Sequence, residues 1–150
     1  MAVLPLFLAL PASADTWLFY WYLVGSNLES EGGAASADLQ ELLNAKLSKD
    51  VKVYIQTGGA KEWANRQVKA SKSQRFLVDS DGLHEIYSGR AVDMGATESF
   101  RDFIEFGKKN FRADHRVLIF WAHGSGPPGG VGYDEQHNFN FLSFHKTNKA

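Results

Sequence analysis

His123 stands where an apolar segment meets a run of glycine and proline. Six apolar residues, VLIFWA from Val117 to Ala122, precede it. A histidine at a strand end titrates near neutral pH and can accept or donate a proton, while the strand behind it holds it in place. Gly124 has no Cβ, so its amide can approach a substrate oxygen and donate to a developing oxyanion. The pair predicts acid–base catalysis at His123 with an oxyanion donor at Gly124; a structural imidazole is the alternative.

The residues that follow complete this prediction without adding a nucleophile. The glycine-rich run from Gly126 to Gly132 indicates a flexible loop that closes over substrate. Ser125 lies in His-Gly-Ser-Gly and not in the Gly-x-Ser-x-Gly pattern that exposes a nucleophilic serine, so we interpret it as a loop residue. The sequence has no cysteine. These 150 residues therefore contain neither a disulfide nor a thiol nucleophile.

Three segments with strand character could position His123. Leu18 to Val24 and Val117 to Ala122 are apolar at every position, which is typical of strands covered on both faces. Val51 to Thr57 alternates apolar and polar residues. That alternation predicts partial exposure near a sheet edge.

Helical patterns separate these strands. Ala34 to Ser48 carries leucines on one face, and phenylalanines recur at helical spacing after Thr97. Strand, helix, strand, helix, strand implies parallel pairing. Gln74 to Ser88 forms two short runs around Asp81-Gly82 and predicts a surface hairpin inserted before the second helix.

The apolar and alternating patterns of these segments also predict the order of the strands in the sheet, with the first strand between the second and the third. Ligands bind beside such a reversal, at the carboxyl ends of parallel strands. The loops Gly25 to Asn27 and His123 to Gly126 should meet there. Ser26 and Asn27 are then placed to line a substrate pocket by hydrogen bonding; a turn in which Asn27 caps the next segment is the alternative.

Composition excludes several classes of partner. The formal net charge of -1 offers no field for nucleic acid or for an anionic membrane. The length fits one domain. Residues 1–14 form a short uncharged apolar run ending in Ala12-Ser13-Ala14, which predicts a secretory signal cut after Ala14 and a secreted or periplasmic protein, free of the membrane after cleavage.

Several blocks carry a specific resemblance. From Trp17 to about Glu135 the sequence resembles the clostripain-like cysteine peptidases, in the blocks FWAHGSG, YLVGSNLESEGGAASADLQELL (Tyr22 to Leu43), VYIQTGGAKEW (Val53 to Trp63), QRFLVDSDG (Gln74 to Gly82) and GYDE (Gly132 to Glu135). The resemblance implies a caspase-like three-layer α/β sandwich with a mostly parallel sheet. It implies that His123 is the catalytic histidine, that Gly124 belongs to the oxyanion hole, and that peptides are cut after Arg or Lys.

One departure from the family pattern limits this interpretation. The resemblance implies a nucleophilic cysteine in an Asp-x-Cys pattern some tens of residues after the histidine, and the chain reaches Ala150 without one. We therefore interpret the sequence as the N-terminal part of a peptidase domain over residues 15–150, incomplete at its C-terminus, inactive alone, and partnered by the cysteine-bearing C-terminal half. A serine esterase with a similar oxyanion loop and a noncatalytic binding module remain alternatives. An incomplete sheet should expose an apolar edge beside the third strand.

Metal chemistry receives little support from the sequence. No cofactor is required, and calcium at Asp134-Glu135 is implied only by resemblance to calcium-dependent family members; a solvated turn is the favoured interpretation. His137 and His145 lie eight residues apart without a zinc motif. His84 and His115 are expected at the surface.

Overall fold

The computed structural model describes residues 14–148, without the side chains of residues 127 and 128. The predicted signal segment, residues 1–14, lies outside the described residues except for Ala14. Among the helices of the described residues, none is long and apolar enough to cross a membrane.

A five-stranded sheet runs through the centre of the molecule in the order β4-β3-β2-β1-β5. Its strands are β1 (Trp17–Val24), β2 (Val51–Gly58), β3 (Lys72–Asp79), β4 (Gly82–Arg90) and β5 (His115–Trp121). Both neighbours of β1 are parallel to it, whereas β3 and β4 are antiparallel to the strands beside them. The predicted α/β sandwich is confirmed, and so is the position of the first strand between the second and the third.

Helices cover both faces of β1, which explains why that strand is apolar throughout. Helices α1 (Ser26–Ser30) and α2 (Ala34–Asn44) follow β1, and α3 (Thr97–Asn110) precedes β5. The even-numbered residues of β1 pack toward α3, and the odd-numbered residues pack toward α2. A strand with helices on both sides has no solvent-facing side for polar residues.

Aromatic residues dominate the face covered by α3. Phe100 and Phe103 are buried there, as the helical spacing predicts. Tyr54 of β2 stacks on Phe103 with ring centroids 4.7 Å apart, and its hydroxyl donates to the Phe103 carbonyl at 3.3 Å. A tyrosine can enter this core because its polar end has a partner.

The prediction that β2 lies near a sheet edge is wrong. β2 lies in the middle of the sheet, and it is buried from Val53 to Gly58. Lys52 is exposed as the alternation predicts, but Tyr54 and Gln56 are buried because their polar atoms find partners inside the protein. Gln56, for example, accepts a hydrogen bond from Arg75 Nε at 2.7 Å.

The predicted hairpin exists, but it is not a surface insertion. β3 pairs with β2, is largely buried, and extends the main sheet, so that β4 forms one edge. The turn falls at the predicted place, where Gly82 has φ +120° and Asp79 Oδ1 accepts from the Asp81 N–H at 2.9 Å.

The prediction that the strand before His123 is covered on both faces is also wrong. β5 forms the other edge of the sheet. Leu118 is 42% exposed and Ile119 is 39% exposed, although the two side chains point to opposite faces. The predicted apolar edge beside this strand is therefore present in the part of the chain that the structure describes.

The glycine-rich segment after His123 contains regular secondary structure, and its closure over substrate stays a prediction. It forms a short helix α4 (Gly126–Gly129) and strand β6 (Val131–Asp134). A 3-10 turn (Glu135–His137) leads to β7 (Asn140–Leu142), which pairs antiparallel with β6, and the short helix α5 (Phe144–Thr147) follows. Gly130 and Gly132 have φ +68° and +77°, so the glycines serve the turns of this unit.

Candidate active site

The loops after β1 and β5 meet at the carboxyl edge of the sheet, as predicted from strand order. His123 lies two residues beyond β5, and Asn27 lies three residues beyond β1. The Nε2 atom of His123 is 2.7 Å from Oδ1 of Asn27. Both residues are partly buried, so the imidazole is held on one side and open on another.

A tight backbone turn places Asn27 at this position. The Gly25 N–H donates to the Gly58 carbonyl at 2.9 Å. A Cβ on Gly25 would lie 2.8 Å from the Cβ of Ala60, so only glycine fits. Ser26 is fully buried with φ +49°, and its hydroxyl lies 3.4 Å from Asn27 Oδ1. The pocket-lining role of Ser26 and Asn27 stays a prediction, while the helix that starts here has no side-chain cap.

Gly124 lies in an isolated β-bridge whose hydrogen bonds do not use the N–H or the carbonyl of Gly124 itself. The bridge joins Gly124 to Val131, and its hydrogen bonds run from Gly132 N to His123 O at 3.3 Å and from Ser125 N to Gly130 O at 3.2 Å. A Cβ at Gly124 would meet nothing within 4 Å. The Gly124 N–H follows His123 in the chain and takes no part in the hydrogen bonds of this bridge, and its oxyanion role stays a prediction.

Ser125 is part of the folded unit after His123. The Tyr133 hydroxyl lies 2.7 Å from Ser125 Oγ and donates to the Gly129 carbonyl at 2.8 Å. This arrangement agrees with the interpretation of Ser125 as a loop residue. The loop carrying Gly124 is thereby tied to the side chain of Tyr133.

A buried carboxylate that the sequence analysis missed, Glu29, lies in the same short helix as Asn27. Glu29 is 2% exposed and accepts hydrogen bonds from Ser36 N at 2.8 Å and Ala64 N at 2.7 Å. It therefore joins α1 to α2 and to the connection between β2 and β3. Nothing in the local sequence separates Glu29 from its exposed neighbour Glu31.

The interpretation of Asp134-Glu135 as a solvated turn is wrong. Asp134 is fully buried; its carboxylate accepts from Met94 N at 2.8 Å and from Gln136 N at 2.8 Å. Glu135 accepts from the Ser30 hydroxyl at 2.8 Å and from Lys61 N at 3.1 Å. Protein N–H and O–H groups take the place of water around both carboxylates. Burial of a carboxylate without such donors would be energetically unfavourable.

The electrostatics of Glu135 follow from those contacts. Burial by itself raises the pKa of this carboxyl, but the Lys61 N–H, the Ser30 hydroxyl and the Lys61 charge outweigh it. The pKa is therefore lowered from its ordinary value. Glu135 is anionic at neutral pH and links α1 to the residues after β2.

One group of side chains has ligand atoms close enough for a cation. Ligand atoms of Asp93, Asp134 and His137 lie within 4.8 Å of one another. The carboxylates of Asp93 and Asp134 already accept hydrogen bonds, among them one from Asn140 Nδ2 to Asp93 Oδ2 at 2.6 Å. Calcium binding therefore stays a prediction. His145 is exposed on α5 and outside this group.

Two other histidines lie at the surface, as expected. His84 pairs with Asp79 at 3.2 Å with 48% of its side chain exposed, and His115 pairs with Asp15 at 3.0 Å with 43% exposed. His115 begins β5, whereas His123 follows the opposite, carboxyl end of that strand, and His84 lies on β4 at the other side of the sheet.

Comparison with known families agrees with this geometry. The model of the clostripain family, peptidase family C11, matches residues 21–150. The chain belongs to the clostripain family. No curated protein gives a significant match to the sequence.

Solved structures share the fold of this clostripain-family chain. A secreted C11 cysteine protease from Bacteroides thetaiotaomicron, in complex with an irreversible peptide inhibitor, superposes with a TM-score of 0.70 at 18% identity. The match covers 89% of this chain and 38% of that one. The chain thus spans well under half the length of this neighbour.

In two further solved structures, the match covers nearly the whole length of the neighbour's chain. A B. fragilis cysteine protease has a TM-score of 0.59 at 15% identity, covering 75% of this chain and 92% of its own. A clostripain from Bacteroides thetaiotaomicron, in complex with the peptide inhibitor BTN-VLTK-AOMK, has a TM-score of 0.54 at 15% identity, covering 76% and 95%. At these identities the likeness shows the fold alone.

Proposed function

We propose that this chain is the histidine-bearing part of a secreted cysteine endopeptidase that cleaves after Arg or Lys. The observation that carries the proposal is the His123 imidazole, held by Asn27 at the carboxyl edge of a clostripain-family sheet. The neighbour bound to BTN-VLTK-AOMK supports the preference, because its peptide ends in lysine. The predicted signal segment and a neighbour described as secreted support export.

The chemistry requires a thiolate that these 150 residues do not contain. We infer that a cysteine-bearing C-terminal half supplies it beside His123. The thiolate attacks the scissile carbonyl, and the oxyanion accepts hydrogen bonds from the Gly124 N–H and the cysteine N–H. The His123 imidazolium then protonates the leaving amine. Water, deprotonated by neutral His123, hydrolyses the acyl enzyme and regenerates the thiol.

The open side of β5 is where this second half would dock. β5 pairs only with β1 among the described strands, which leaves one row of backbone groups open. An apolar groove of about 390 Å³ borders the strand, lined by Phe19, Trp21, Leu42, Leu47, Val51, Val53, Ile119 and Trp121. An added strand with its own helix would cover both features.

The test is cleavage of Arg and Lys peptide substrates by the protein assembled with its cysteine-bearing half. His123→Ala should lower kcat by about 10⁴-fold or more, because the acid and base of both steps are lost. His84→Ala, in an exposed histidine on β4 at the other edge of the sheet, is the matched control and should leave cleavage unchanged. Normal cleavage by His123→Ala would overturn the proposal.

A second candidate applies to the chain by itself. With no cysteine in these residues, the chain alone would behave as a noncatalytic clostripain-like module. Labelling by an irreversible peptide inhibitor separates the two cases. Only the assembly should be labelled, and labelling of the isolated chain would point to a nucleophile of another kind.

A further inference from the structure

The contact between Asn27 and His123 decides which imidazole nitrogen carries the proton. Oδ1 of Asn27 is 2.7 Å from Nε2 of His123. An amide oxygen carries no hydrogen and can only accept. With the Asn27 amide in this orientation, the contact is a hydrogen bond only when Nε2 carries the proton, whereas the reversed amide would present Nδ2 and select the other tautomer.

The neighbours of Asn27 hold it in position. The buried Ser26 hydroxyl donates to the same Oδ1 at 3.4 Å. The Asn27 carbonyl accepts the Glu31 N–H at 3.1 Å in the first turn of α1, which orients the backbone. Gly25 allows the turn to lie close to Ala60, where a Cβ would come within 2.8 Å of the Ala60 Cβ.

We propose that Asn27 is the positioning residue of the catalytic histidine, holding His123 as the Nε2–H tautomer so that Nδ1 exchanges the proton with the nucleophile. This inference rests on the proposed function. Nδ1 accepts the thiol proton to form imidazolium and later passes that same proton to the leaving amine, while Nε2–H stays bonded to Asn27 Oδ1. The combination is a Cys-His-Asn arrangement, which recurs on unrelated folds.

A neutral amide suits this task better than a carboxylate would. A carboxylate at 2.7 Å would place a negative charge beside the ring and stabilise the imidazolium. A more stable imidazolium would be a weaker acid toward the leaving amine. Asparagine aligns the ring and selects the tautomer without adding a charge.

The first test reads the tautomer directly and needs no activity. ¹⁵N NMR of the histidine-labelled protein, above the imidazole pKa, should show His123 protonated at Nε2 and unprotonated at Nδ1, with the signal assigned by its loss in His123→Gln. Asn27→Ala should give a mixture of both tautomers. Asn44→Ala, in an exposed helical asparagine, is the control. A protonated Nδ1 in the native protein, or an unchanged tautomer in Asn27→Ala, would overturn the inference.

The second test uses the assembled enzyme to separate positioning from substrate binding. Asn27→Ala should lower kcat about 10- to 100-fold at nearly constant KM, as expected for a misaligned catalytic group. A raised KM with unchanged kcat would instead assign Asn27 to the substrate pocket and overturn the positioning role. If His123→Ala retained cleavage, the proposed function would fail. The NMR measurement would still show, independently of activity, whether Asn27 selects the Nε2–H tautomer of His123.

Discussion

Individual carboxylates hold the backbone around His123 by accepting several donors each. Glu135 joins α1 to the residues after β2, and Asp134 joins β6 to Met94. Such contacts stabilise more than neutral hydrogen bonds do, because the acceptor is charged. These contacts weaken in acid, because protonation of the carboxylate removes its charge and part of its capacity to accept hydrogen bonds.

Glu135→Gln should lower the free energy of unfolding at pH 7 by about 1 to 2 kcal/mol, because the side chain is only 8% exposed and loses its charge-assisted bonds. The native pKa lies below the ordinary value of 4.5, so this stability is present above pH 4.5 and is lost as pH falls through the native pKa. Urea unfolding from pH 7 to pH 3 should show the two proteins converging. Glu62→Gln, in an exposed glutamate, should cost little at any pH. A constant difference down to pH 3 would contradict the assigned cause.

Packing between α3 and the sheet depends on one small residue. Gly107 lies on the buried face of α3, where a Cβ would overlap Cε1 of Tyr20 and lie 2.9 Å from Cε1 of Tyr54. Two tyrosine rings from neighbouring strands therefore occupy the space above this residue. Glycine in a helix interior lowers helix stability, but here it allows the close approach.

Gly107→Ala should destabilise the protein by about 1 to 3 kcal/mol, because overpacking exceeds the gain of about 1 kcal/mol that alanine brings to a helix. Denaturant unfolding followed by circular dichroism measures the change. Lys109→Ala, at an exposed position of the same helix, should be nearly neutral. A more stable Gly107→Ala protein would mean that the tyrosine rings move aside without cost.

The sheet as a whole is asymmetric at its two edges. β4 and β5 are both edge strands, but only β5 borders the apolar groove, with Leu118 exposed on the opposite face. Apolar surface on both sides of an unpaired edge favours association with another strand. The isolated chain should therefore self-associate or precipitate, and a sharp monomer in sedimentation velocity would count against this expectation.

Ile119→Lys tests this edge against a matched site. The lysine should shift the isolated chain toward monomer and weaken its assembly with the cysteine-bearing half, since a charge on an apolar docking face loses hydration. Ile86→Lys changes the same residue type on β4 at similar exposure, 36% against 39%. It should leave both properties unchanged. Equal effects of the two variants in sedimentation would show that β5 is not the associating edge.

Patterns within the chain were sufficient to predict part of this molecule. The uniformly apolar β1 indicated a strand covered on both faces, the phenylalanines of α3 indicated a buried helix face, and the strand order brought His123 beside Asn27. These properties are set by periodicity and by which strand ends lie together, both of which are visible in the order of residues.

Only the tertiary structure decided which segments find partners. β2 is buried because β3 pairs with it, β5 is exposed because its outer side is open among the described strands, and Asp134 is buried because Met94, forty residues earlier, donates to it. The same holds for Asn27, whose partner lies 96 residues away. An apolar run or a carboxylate has the same sequence whether or not a partner covers it. The physical reason is that burial is a property of the contact, and contacts between distant residues exist only after the chain has folded.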